Sequence, residues 1–218
     1  MQREAAYHKI NRWFFPGYVA LCAAAAAYYG VRRDMYHFPL SLLAMTMPAC
    51  MGLFFRIFRL WRSEQMDFMI LLFILLAFPC GSVLEFFQLI PHYDKICHTL
   101  SGVFVSMLAL ALFLTVCPEH RVTRENLLLA LLFVFAVSMA VAGLWEICEY
   151  FVHLITGRDV QRVAATGVSD TMQDMIVCMI GTLAYLPAVA RLGRGRASVW
   201  TAPAEAFAEK NARSAQSA

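Results

Sequence analysis

Charge is what this sequence has least of. Only 15% of its 218 residues are Asp, Glu, Lys or Arg, against about 25% in an ordinary soluble domain. Apolar residues make up 61%, and the mean hydropathy is +0.61. That balance argues against a single soluble globule, and no nucleic-acid partner is expected. The chain also lacks an internal repeat, a Gly-rich phosphate loop and a GxSxG nucleophile turn, so the local signatures of several large enzyme classes are missing. No CxxC pair occurs among the seven cysteines at 22, 50, 80, 97, 117, 148 and 178. Odd in number and set in or beside apolar runs, they read as small packing residues rather than a disulfide framework or a thiolate metal site.

The absences are arranged in long gaps. Stretches free of Asp, Glu, Lys and Arg run over Phe14–Val31, Met35–Phe55, Phe68–Leu84, Ile96–Pro118, Asn126–Trp145 and Met175–Ala190. At ~1.5 Å rise per residue, about 20 residues cross a ~30 Å hydrocarbon layer. The expected fold is therefore all-α, a polytopic integral membrane helix bundle of six spans at about 14–31, 35–55, 68–88, 96–118, 126–155 and 170–190. These form one domain over 1–190, because the loops are too short for a second. The stretch Ala23–Ala27 resembles a signal-cleavage region, but five further hydrophobic runs follow it, so an uncleaved first span is expected. Residues 191–218 read as a polar, flexible tail with Trp200 as its one large anchor.

Orientation follows from the bases. With six spans, the termini and the second and fourth loops share one side and carry 13 of the 18 Lys and Arg; the other three loops carry Arg32, Arg33, Lys95, Arg158 and Arg162. By the positive-inside rule both termini are cytoplasmic. Eight of the fifteen acids fall on or near the opposite, outer side: Asp34, Glu85, Asp94, Glu146, Glu149, Asp159, Asp170 and Asp174.

Ionisable side chains at membrane depth are costly, so those that occur there are candidates for function. Four groups are expected at the outer helix ends. Glu85 and Gln88 share a face at the end of the third span. Asp94 and His98 are an i, i+4 pair opening the fourth, followed by the small residues Ser101 and Gly102. Glu146, Glu149 and His153 share a face at the end of the fifth, and Asp170 and Asp174 open the sixth ahead of Gly181. Asp94 and Asp170 also read as first-turn acids that complement a helix dipole, and His153 as a C-terminal base. Glu146 and Glu149 lie near a C-terminal end, where anions are disfavoured, and resist that reading. His8, His37, His92 and His120 fall in terminal or loop regions and receive no assignment.

Packed carboxylates need a shared proton or a cation. Histidine and carboxylate donors suit Zn, Mn or Mg rather than a thiolate-binding ion. The expected metal ligands are Asp94, His98, Glu146, Glu149 and Asp174. His153 and Asp170 are the candidate general bases. Lys95 completes the catalytic set, and with Arg158 would attract an anionic head group; Glu85, Gln88 and Arg158 are the candidate substrate contacts. The function expected is a metal-dependent hydrolase or transferase acting on lipid or envelope head groups, with membrane lipid as partner. The alternatives are a proton- or cation-coupled transporter and a non-catalytic structural membrane protein.

Over roughly Glu85 to Gly181 the chain resembles the YjdF-like family of bacterial inner-membrane proteins and, more distantly, VanZ-like proteins. The matching pieces are Tyr93-Asp94-Lys95-Ile96-Cys97-His98 with Gly102, then Glu146-Ile147-Cys148-Glu149, Gly157-Arg158, Asp170-Thr171, Asp174 and Gly181. VanZ-like proteins usually carry Glu-x-x-Gln at the fifth-span position and an Asn between the last Asp and Gly. Both are absent here, so glycopeptide resistance is not implied. The YjdF-like resemblance implies a polytopic membrane protein without an established activity.

Overall fold

A computed structural model of the protein describes residues 2–159, 161 and 163–216; Arg162, counted above with the outer bases, lies outside them. The described residues are helical, with no strand among them. The helices are α1 (Gln2–Val31), α2 (His37–Ile57), α3 (Glu64–Leu75), a π-helical stretch Leu76–Val83, α4 (Phe86–Leu89), α5 (Tyr93–Val116), α6 (Leu127–Thr156), α7 (Val163–Thr166), α8 (Ser169–Leu192) and α9 (Ala202–Gln216). Six stretches are long and apolar enough to cross a membrane: Arg3–Val31, His37–Ile57, Glu64–Val83, Tyr93–Val116, Leu127–Thr156 and Ser169–Leu192. The all-α, multi-pass reading holds.

The third span departs from expectation at its end. It stops at Val83 rather than reaching Gln88. Pro79 lies inside it and donates no N–H, and the wider π turn closes with Leu84 N–H donating to the Pro79 carbonyl at 2.9 Å. Glu85 then adopts a left-handed conformation (φ 59°) and starts a separate short helix. Glu85 and Gln88 therefore do not lie on a face of the spanning helix.

The chain divides into two compact units, Met1–Tyr93 with Ala206–Ala218, and Asp94–Glu205. In the first unit, Tyr18, Cys22, Ala25, Ala44, Leu71 and Val83 form a core. Its polar groups are satisfied at depth: Tyr18 donates to the Ala44 carbonyl, Tyr29 to Val83 and Tyr93 to Leu76, each at 2.8 Å. The tail is not a loose extension. The Ser198–Thr201 exchange of hydroxyl and amide bonds caps α9, and Asn211 is buried against Trp61. Its side chain accepts from Trp61 N–H at 2.8 Å and donates to the Trp61 carbonyl at 3.0 Å. A buried amide pairing in both directions with a backbone unit leaves no polar atom of that contact unsatisfied.

In the second unit the packing follows from residue size. The buried positions of α6 are Ala130, Val134, Ser138, Ala142 and Glu146, one every fourth residue. Those of α8 run Asp170, Asp174, Cys178, Gly181, Thr182, Tyr185 and Val189. Between membrane helices, where lipid offers no hydrophobic contrast, small residues permit the close approach that dispersion rewards. The approach of α5 to α8 is backbone to backbone: a Cβ at Gly102 would run into the Cys178 carbonyl, and one at Gly181 into the Thr99 carbonyl. Ser138 and Thr182 share a buried hydroxyl bond of 2.7 Å between α6 and α8. The opposite face of α6 exposes Leu128, Leu132, Leu144, Ile147 and Phe151, as a lipid-facing surface requires.

Candidate functional site

The acidic ends of α6 and α8 are buried because they continue these small-residue stripes. Glu146 is the next fourth-residue position after Ala142, and Asp170 and Asp174 precede Cys178 by two turns and one. The same periodicity that hides alanine and serine from lipid hides these carboxylates. Asp174 is the deepest, with its side chain 4% exposed.

Helix α5 brings Asp94, Lys95 and His98 to the two aspartates of α8. The Lys95 ammonium donates to Asp174 Oδ1 at 2.7 Å and Asp170 Oδ1 at 2.8 Å, with the Asp170 carbonyl at 3.4 Å and Asp94 Oδ2 at 3.5 Å. His98 Nε2 stands 3.5 Å from Asp94 Oδ1 and 3.8 Å from Asp174 Oδ1. One ligand atom each from Asp94, His98 and Asp174 lies within 4.8 Å of the others. Two carboxylates and an imidazole, half-buried or buried, are a hard-to-borderline donor set of the kind Zn, Mn and Mg accept. The residues present fit such an ion.

The other expected ligands are otherwise engaged. Gln161, itself buried, donates to the Glu146 carbonyl at 3.0 Å and to its carboxylate at 3.4 Å. Glu149 accepts from the Trp145 indole N–H at 2.8 Å, although it stays within electrostatic range of His98 and Asp94. Neither stands in the Asp94–His98–Asp174 group. His153 Nδ1 meets the Arg158 carbonyl at 2.9 Å, and Gly157, at φ 69°, closes the helix beneath it with N–H donated to the His153 carbonyl. This ring thus belongs to the C-terminal turn of α6, and Arg158 to the exposed loop after it. Asp170 is joined to the group through Lys95.

Glu85 has its own partner within the first unit. His37 Nδ1 is 2.7 Å from Asp34 Oδ2, and its Nε2 is 3.4 Å from Glu85 Oε1. The Tyr29 ring stacks on the imidazole at 4.8 Å between centroids. Asp34 accepts from the His37 and Tyr36 backbone N–H groups at 3.0 Å; the His37 amide first and its ring second hold the carboxyl down at about 2. Gln88 is exposed on α4. His37 and Gln161 were missed by sequence reasoning. The Asp34-x-x-His37 spacing at a helix start was a usable signal for the first, whereas Gln161 reaches Glu146 across a turn that leaves no periodic trace.

Compared with known proteins, residues 15–195 match the family described as "Predicted membrane protein (DUF2238)". No curated protein and no solved structure matches the chain.

Proposed function

Because the chain belongs to the DUF2238 family of predicted membrane proteins, we propose that it is a multi-pass membrane protein whose second unit holds a divalent metal ion on Asp94, His98 and Asp174. The function proposed for this site is a metal-dependent hydrolase or transferase acting on lipid or envelope head groups. The observation that carries the reading is the convergence of these three ligand atoms within 4.8 Å. An ion bound there would polarise a phosphoryl or acyl oxygen and acidify a water. The chain's own contributions are separate. Lys95 offers an ammonium beside the group for an anionic head group, Asp170 positions that ammonium, and Glu149 is the nearby carboxylate left to accept a proton. The match over residues 15–195 supports a YjdF-like assignment, whereas the VanZ-like likeness rests on the shared motif residues alone. The distribution of Lys and Arg supports an inner-membrane orientation with cytoplasmic termini.

Metal analysis of purified protein tests this reading. A stoichiometric divalent ion is expected in the wild type and in Glu146→Gln, and none in Asp174→Ala. A wild-type preparation that is folded yet takes up no added Mn²⁺ or Zn²⁺ overturns it.

One observation favours the transport alternative. Ser101 donates towards Cys178 Sγ at 3.6 Å, Thr182 to the Cys178 carbonyl at 3.0 Å, and Ser138 pairs with Thr182. Nearby on α5 the Ser106 hydroxyl is buried without a protein partner. This polar track leads away from His98 between apolar helices, as a relay would. Proton flux in proteoliposomes that is lost in Glu149→Gln and reduced in Ser138→Ala would select this reading over the enzyme.

A further inference from the structure

The Lys95 ammonium sits among four oxygens, two of them carboxylate atoms below 3 Å. That is the surrounding a bound cation would have. It shares Asp174 Oδ1 with the candidate metal ligand set, since the same oxygen faces His98. Asp170, in contrast, lies outside that set and is buried on α8 one turn before Asp174. We propose that Lys95 is a tethered cation that competes with a divalent ion for Asp174, and that Asp170 is the place to which its ammonium retreats when the ion binds. The proposal rests on the metal-site reading above and concerns two residues outside its ligand set.

The physical argument is one of shared charge. Two cations on one carboxylate oxygen repel each other, and the repulsion is weakly screened because Asp174 and Asp170 are removed from water. Lysine suits the role because its ammonium rides on a flexible four-carbon stem and can exchange partners without moving the backbone. With both carboxylates in reach, the ammonium can release Asp174 while keeping Asp170, so the metal-free state retains a paired charge and the metal-bound state strands none. Lys95 would then set the affinity of the site as a positioning residue, without touching the ion.

Titration of Mn²⁺ into the full chain in detergent micelles, followed by electron paramagnetic resonance, tests this. Lys95→Gln is expected to bind Mn²⁺ about tenfold tighter than wild type or more, because the competitor's charge is gone. Asp170→Asn is expected to bind several-fold more weakly, since Asp174 is then the one carboxylate left within 3 Å of the ammonium, with Asp94 Oδ2 at 3.5 Å. The pair carries a second readout in the double variant: once Lys95→Gln is present, Asp170→Asn should have little further effect. Equal or weaker binding by Lys95→Gln, beside a wild type that binds, overturns the competition and leaves the metal site standing. A loss on Asp170→Asn that is equally large in both backgrounds overturns the retreat, because Asp170 then acts by charge alone. If Lys95→Gln does not fold, Lys95→Arg and Asp170→Asn decide: a retained cation should keep Lys95→Arg near wild type, and a tenfold gain there would sink the proposal. Failure of wild type and all variants to bind Mn²⁺ overturns the metal reading itself.

Discussion

His37 in the first unit and His98 in the second each face two carboxylates, but they do so by different edges of the ring. Asp34 approaches Nδ1 of His37 and Glu85 approaches Nε2, so the acids stand on opposite sides of the imidazole and are kept apart by it. Asp94 and Asp174 both approach Nε2 of His98, so they converge on one point. The composition is the same and the chemistry open to it is not. A ring gripped at both nitrogens is a fixed strut between a loop and the end of a span; a ring facing two acids with one nitrogen is a donor set that could hold a cation. Residue type alone could not have ranked the two, which is why a histidine in a loop attracted no assignment and one in an i, i+4 helical pair with Asp94 did.

The strongest way to break this comparison is to remove each ring. His98→Ala should abolish the stoichiometric divalent ion, and His37→Ala should leave it bound; ion loss in both would erase the distinction. Next in size is packing. Gly102→Ala drives a methyl into the Cys178 carbonyl, with no flexible side chain to yield, and should destabilise the second unit by roughly 2–3 kcal/mol. Gly17→Ala and Gly143→Ala meet nothing within 4 Å and should be neutral or slightly stabilising. Thermal unfolding in micelles measures all three. A smaller effect is expected from Asn211→Ala, which strands the Trp61 amide and carbonyl at a cost of about 1–2 kcal/mol; faster tryptic release of the tail reports it.

The smallest effect concerns pH. The folded carboxyl of Asp34 titrates at about 2, below its ordinary 3.8, so its contribution to stability is complete above about 4 and is lost as pH falls through 2. Asp34→Asn should lower stability at neutral pH and flatten the acid limb of unfolding between those values, leaving stability below about pH 2 unchanged. An unaltered acid limb would show that the His37 strut is not held by this charge.

The six spans were legible because a membrane imposes one crude rule, long uncharged helices, and the sequence obeys it. The buried acids were legible for a related reason: Glu146, Asp170 and Asp174 continue a fourth-residue spacing. What could not be read is who neutralises whom. Lys95 follows Asp94 directly and looks like its solvated neighbour, yet its strongest partners are 75 and 79 residues away on α8. The expected union of five ligands drew on Glu146 and Glu149 because they share a helix with the right periodicity; their hydrogen bonds from Gln161 and Trp145 left no trace in that periodicity. The end of the third span was misplaced because the pattern of apolar residues carries through Pro79 without a break, while the backbone does not. The packing of the tail was hard to read because Ala-rich, weakly apolar sequence looks the same whether it is loose or held, as here, through Asn211 and Phe207.

The contact of Gly102 with α8 has a mechanical consequence. His98 lies four residues from it along α5, about 6 Å, and Asp174 lies seven residues from Gly181 along α8, about 10 Å. The crossing is thus a fulcrum with short arms, and His98 and Asp174 ride at their tips. A tilt of about 10° between the two helices would move those tips apart by on the order of 1–2 Å, several times the ~0.2 Å tolerance of a coordination bond. Anything that pries the helices at their far ends would therefore be felt at the carboxylates as an open or shut clamp.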